Sequence, residues 1–76
     1  MREDHYAVLR WLATDDLAML AGYGRSETDV AALGWMHGLG GQRRLTPAGR
    51  AAYDQAVQRR SVAGLDLNPD PLNLAA

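Results

Sequence analysis

The side chains able to do chemistry are few, and their spacing does not suit catalysis. His5 and His37 are the only histidines and lie far apart, so no pair stands three or four residues apart as ligands on one helix face do. No cysteine is present, which excludes disulfides and thiolate metal sites and makes a reducing, cytoplasmic setting the expectation. Asp15 and Asp16 are adjacent only in sequence. Successive helical positions point about 100° apart, so such carboxylates diverge, and they suit the first turn of a helix instead. Gly38, Gly40 and Gly41 lack the spacing and the strand-to-helix context of a dinucleotide fingerprint, and no serine or threonine occupies a nucleophile elbow. The chain is therefore expected to bind rather than to catalyse, with no catalytic residue, metal or cofactor.

The remaining chemistry is that of guanidinium groups. All eight basic residues are arginine, and the net charge is −1, so there is no general attraction to nucleic acid. The charge is unevenly placed. Residues 1–24 sum to −2, residues 25–60 to +3 and residues 61–76 to −2. Arg25, Arg43, Arg44 and Arg50 fall in the basic stretch, and arginine forks pair well with phosphates.

These side chains must be held by a small scaffold. Seventy-six residues make one domain near the lower size limit for unaided folding, and 47% hydrophobic residues suffice for a core. No apolar run approaches the roughly 18 residues of a membrane span, and acidic Glu3 and Asp4 do not fit the basic start of a signal peptide. The spacing of Tyr6, Leu9 and Ala13, with Leu12 beside them, predicts a first helix over Glu3 to Ala13. Thr14 is placed to cap a second helix, with Leu17, Leu20 and Ala21 facing inward and Gly22 and Gly24 ending it. Ser26 and Asp29 have the spacing of a capping box, which predicts a third helix from Glu27 to about His37 with Val30, Leu33 and Met36 or His37 buried. Gly34 weakens that helix by roughly 1 kcal/mol relative to alanine. Gly40-Gly41 suits a two-residue hairpin turn before a strand over Gln42 to Leu45. Thr46 as cap and Pro47 at the first helical position then open a fourth helix to about Arg60, with Tyr53, Ala56 and Val57 on one face. Gly49, a poor helix former in its first turn, marks a close backbone approach.

The run Leu45-Thr46-Pro47-Ala48-Gly49-Arg50, with this element order, resembles the strand-to-helix passage that closes many small bacterial or phage winged helix-turn-helix domains. The resemblance covers about residues 3–60. It implies a mainly α, winged-helix-like fold of three helices, a minimal β-hairpin wing over Leu39 to Thr46 and a fourth helix. It also implies a DNA-binding transcriptional regulator, dimeric, that docks its third helix in the major groove. The DNA-contacting residues would be Arg25, Thr28, Ala31, Ala32, Arg43, Arg44 and Arg50, with Arg59 and Arg60 either adding phosphate contacts or complementing the end of the fourth helix. Thr28, Ala31 and Ala32 offer methyl groups to thymine, while Glu27 and Asp29 would meet phosphates unfavourably.

The alternative is a winged-helix-like interaction module, such as a phage or mobile-element inhibitor that binds and blocks a host protein complex. Trp35 on the third helix, and Leu65, Leu67, Leu72 and Leu74 in residues 61–76, would carry such a contact. Gly64, Asn68, Pro69 and Pro71 exclude a long helix in this tail, and its leucines predict docking rather than full solvation. The ending Leu74-Ala75-Ala76 resembles the tag that marks stalled-translation products for proteolysis, which implies a short-lived protein.

Overall fold

The computed structural model describes residues 1–38 and 40–69. Helix α1, Glu3–Ala13, is followed by a short 3-10 helix, Leu17–Gly22, and by α2, Gly24–Ala32. Strand β1, Met36–His37, pairs antiparallel with β2, Arg44–Leu45, and α3, Pro47–Val62, follows directly. The fold is mainly α, with a two-stranded hairpin between the second and third α-helices, which is a winged-helix-like order.

Helix α1 is central because its apolar residues run almost all the way round. Tyr6, Ala7, Val8 and Leu9 are all buried, and α1 packs against α2, α3, β2 and the 3-10 helix. Leu20, Tyr23, Val30, Met36, Tyr53 and Ala56 complete the core. Tyr6 and Tyr53 stack with centroids 6.0 Å apart and join α1 to α3. Leu12, Ala13, Leu17, Trp35, Leu45 and Val57 seal its edges as half-buried side chains.

The three α-helices among the described residues end in the same way. The amide two residues past the C-cap reaches back to the third-last helical carbonyl, and the amide one residue past the C-cap bonds the second-last carbonyl; this is a Schellman motif. In α1 the bonds are Asp16 N to Trp11 O at 2.8 Å and Asp15 N to Leu12 O at 3.3 Å. In α2 they are Trp35 N to Val30 O at 3.1 Å and Gly34 N to Ala31 O at 3.0 Å. In α3 they are Leu65 N to Arg60 O at 2.8 Å and Gly64 N to Ser61 O at 3.1 Å. The motif needs a left-handed residue, supplied by Asp15 (φ 57°), Gly34 (φ 79°) and Gly64 (φ 72°).

These stops correct several sequence-based expectations. Gly34 terminates α2 rather than weakening its interior, so the helix ends at Ala32 and Met36 and His37 lie in a strand. Leu33, expected inside, is the C-cap and is 51% exposed. The Thr14 hydroxyl donates back to Arg10 O instead of capping forward, and the second helix is a single stretch of 3-10. Ala21 is exposed as a result. Ser26 is no cap: α2 starts at Gly24, and Ser26 is buried within it. Gly40-Gly41 does not form a two-residue turn. The register Met36↔Leu45 and His37↔Arg44 leaves residues 38–43 to connect the strands, with Gly40–Gln42 as a 3-10 turn.

The opening of α3 matches its sequence signature. Thr46 caps it by accepting from Gly49 N at 3.0 Å, with Pro47 in the first turn. A Cβ on Gly49 would lie 2.0 Å from Trp35 O, so α3 is pressed onto the backbone leaving α2. Gly49→Ala is expected to cost about 3 kcal/mol or more, the top of the overpacking range, as a lowered urea midpoint. Asp15→Gly acts oppositely: relief of a left-handed non-glycine residue should raise stability by about 0.5–1 kcal/mol in the same assay.

Candidate nucleic-acid interface

One face of α2 is turned away from the core, because Ser26 and Val30 occupy the buried side. Gly24, Arg25, Thr28, Ala31 and Ala32 are exposed on it. The Thr28 hydroxyl donates to Gly24 O at 3.2 Å, within the helix itself. Between this face and the hairpin runs a groove of about 350 Å³, lined by Gly24, Glu27, Thr28 and Ala31 on one side and Met36, Gly38 and Arg43 on the other. Small side chains keep the groove open, and Met36 anchors its floor in the core.

The two acids of α2 do not stand free on this face. Glu27 is half-buried and accepts from the Arg43 guanidinium, which ties α2 to the hairpin. Asp29 turns toward α1, where its Oδ2 lies 3.3 Å from His5 Nε2. Asp4 sits behind them, only 6% exposed, accepting from Ser26 Oγ at 2.9 Å and from Arg2 Nε at 2.9 Å. Burial alone would raise the Asp4 pKa. The Ser26 and Arg2 hydrogen bonds, with the charges of His5 and Arg2, outweigh burial and hold it below its ordinary 3.8. Asp4, His5 and Asp29 also form the group, among the described residues, whose atoms are close enough to share a cation, all within 4.8 Å. Here those atoms are engaged with one another and with Ser26 and Arg2. Sequence spacing did not reveal this cluster, because 24 residues separate His5 from Asp29.

The arginines fall into two groups. Arg25 at the start of α2 and Arg44 on β2 are exposed and make no ion pair with a described residue. Arg50, in the first turn of α3, is exposed beside Asp54 at 3.4 Å and lies 5.7 Å from the Tyr53 ring centre. Arg44 and Arg50 line a second cleft of about 430 Å³ on the other flank of the hairpin, between the end of α1 and the start of α3. Arg43 is half-buried on Glu27 rather than displayed on the wing.

The other group holds the chain's return. Arg60 makes a fork with Glu3 at 2.8 and 3.0 Å, lies 4.2 Å from the Tyr6 ring centre, and donates to Asp66 O at 2.9 Å and Asn68 O at 3.3 Å. Arg10 donates to the Tyr53 hydroxyl at 2.7 Å and to Asn68 Oδ1 at 3.3 Å. Burial first, and then the neighbouring Tyr53, raise the Tyr6 pKa above its ordinary 10.0, so its hydroxyl keeps the proton it donates to Leu67 O. Of the residues singled out for protein contact, Trp35 is half-buried against the core, Leu65 is exposed and Leu67 is half-buried. Leu72, Leu74 and the Leu74-Ala75-Ala76 ending lie outside the described residues, as does Leu39 of the wing.

No family model matches this chain, and neither a curated protein nor a solved structure matches it. No helix among the described residues is long and apolar enough to cross a membrane.

The Asp4 site makes a pH-dependent contribution to stability. Because its folded pKa is lowered, that contribution is present above the unfolded value near 3.8 and is lost as acid takes the pH down through the folded value. Ser26→Ala removes one donor to a buried carboxylate. It should cost about 1.5–3 kcal/mol near neutral pH and less in acid, seen as urea midpoints of the two proteins converging below pH 3.8.

Proposed function

We propose that this chain is a small winged-helix-type DNA-binding regulator that lays α2 in the major groove and runs its hairpin along the phosphate backbone. The observation that carries this reading is that both acids of α2 are paired within the fold. With Glu27 engaged by Arg43 and Asp29 turned to His5, the charge left on that face is Arg25. Arg44 and Arg50 stand exposed on the other flank of the hairpin, on β2 and in the first turn of α3. Thr28, Ala31 and Ala32 are small enough for the helix to approach base edges closely. A single domain makes few contacts, so the working form is a dimer on two half-sites about one helical turn apart. The compartment is the cytoplasm, in keeping with a chain that has no cysteine.

A second reading has one observation behind it. Ala31, Ala32 and Leu33 form a consecutive exposed apolar edge at the end of α2, and such an edge suits a protein partner, as in a phage or mobile-element inhibitor of a host complex.

Anisotropy titration of a mixed-sequence duplex pool at rising salt separates the two. The regulator reading expects binding in the range of about 10⁻⁴ to 10⁻⁶ M at physiological salt, tighter below it. Arg25→Ala and Arg44→Ala should each lower the slope of log affinity against log salt by about 1. Absence of binding at low salt would overturn the regulator reading and leave the protein-contact one.

A further inference from the structure

The outward face of α2 carries an unusual set of groups for reading bases. It holds no amide side chain, so it has no bidentate partner for adenine, and its two flanking carboxylates are paired, Glu27 with Arg43 and Asp29 with His5. One guanidinium, Arg25, can take a guanine edge. What remains is methyl groups. The Thr28 hydroxyl proton is already given to Gly24 O, which leaves the methyl as the free part of that side chain. Ala31 and Ala32 present nothing else, and both are exposed.

We infer that the protein selects its DNA by the C5-methyl groups of thymine, read by Thr28, Ala31 and Ala32, next to a guanine read by Arg25. The inference rests on the regulator reading above and specifies its substrate. Positions 28, 31 and 32 follow the i, i+3, i+4 pattern of one helix strip. At 1.5 Å per residue the strip covers about 6 Å, close to two base-pair steps of about 3.4 Å. Arg25 lies one turn earlier on the same face, about one further base pair away. The target is therefore a short run of thymines flanked by a guanine. Apolar contact with methyl groups adds to phosphate attraction without changing it, so selectivity and salt dependence arise from different residues.

The test begins with selection from a random duplex pool at low salt. Enriched duplexes are then remade with deoxyuridine in place of thymidine, which keeps the pairing and the O4 acceptor and deletes only the methyl. Affinity should fall about fourfold for each contacted methyl, from about 0.8 kcal/mol per buried carbon, with the salt slope unchanged. Thr28→Ser keeps the hydroxyl and its bond to Gly24, so the fold should be unaffected by circular dichroism. This variant should bind thymine duplexes less tightly and lose less than the wild type on the change to uracil. Salt-dependent binding that is indifferent to uracil, or selection that enriches no sequence, would overturn the inference and leave the regulator reading standing. Failure to bind any duplex at low salt would overturn both.

Discussion

The contact on which the rest of the structure depends is the meeting of two backbone segments, Gly34-Trp35 and Thr46-Gly49. Thr46 N bonds Trp35 O at 3.0 Å, the Thr46 hydroxyl bonds Gly34 O, and Gly49 lets α3 touch Trp35 O without a Cβ between them. One residue, Thr46, thus caps α3 and fastens it to the end of α2. The hairpin is the loop these two segments enclose, which explains how strands of two residues persist. Two-stranded ribbons are marginal alone. Here the ends are pinned by the helices, and Met36 and Leu45 face the core.

Electrostatics then sets which surface α2 shows. Asp4 is a buried carboxylate, costly unless its oxygens are satisfied, and the Ser26 hydroxyl and Arg2 guanidinium satisfy them. Because Ser26 lies on α2, satisfying Asp4 also fixes how α2 rotates on α1. The same rotation brings Asp29 to His5 and Glu27 to Arg43. Both acids of α2 are paired as a consequence of packing, so the exposed face of α2 and the interior are specified by one set of bonds.

Arginine has several uses in this chain, and composition does not separate them: Arg2 and Arg43 pair with Asp4 and Glu27. Arg10 and Arg60 bind the returning segment at residues 66–68, and Pro69 is buried next to it in sequence. Guanidinium suits this task because it offers several donors in one plane and stacks on an aromatic ring, as Arg60 does on Tyr6. Arg25, Arg44 and Arg50 are left exposed at the surface.

Local signals determined much of this fold. The span of α1, the Thr46-Pro47 start of α3, the Tyr53 and Ala56 face, and the close approach at Gly49 all follow from spacing, capping chemistry and the missing Cβ. The mainly α order with a small hairpin is legible for the same reason. What the tertiary structure decided are matters of competition between partners distant in the chain. Ser26 had the spacing of a cap, but the buried Asp4, 22 residues away, claims its hydroxyl. Gly34 read as a helix interior until Trp35 was drawn under Gly49, which makes a left-handed stop there the better use of a glycine. Glu27 and Asp29 read as a repulsive surface, and only folding supplies Arg43 and His5 to pair with them. The face that α2 presents is a long-range property, because a charge is masked by whichever group folding places beside it.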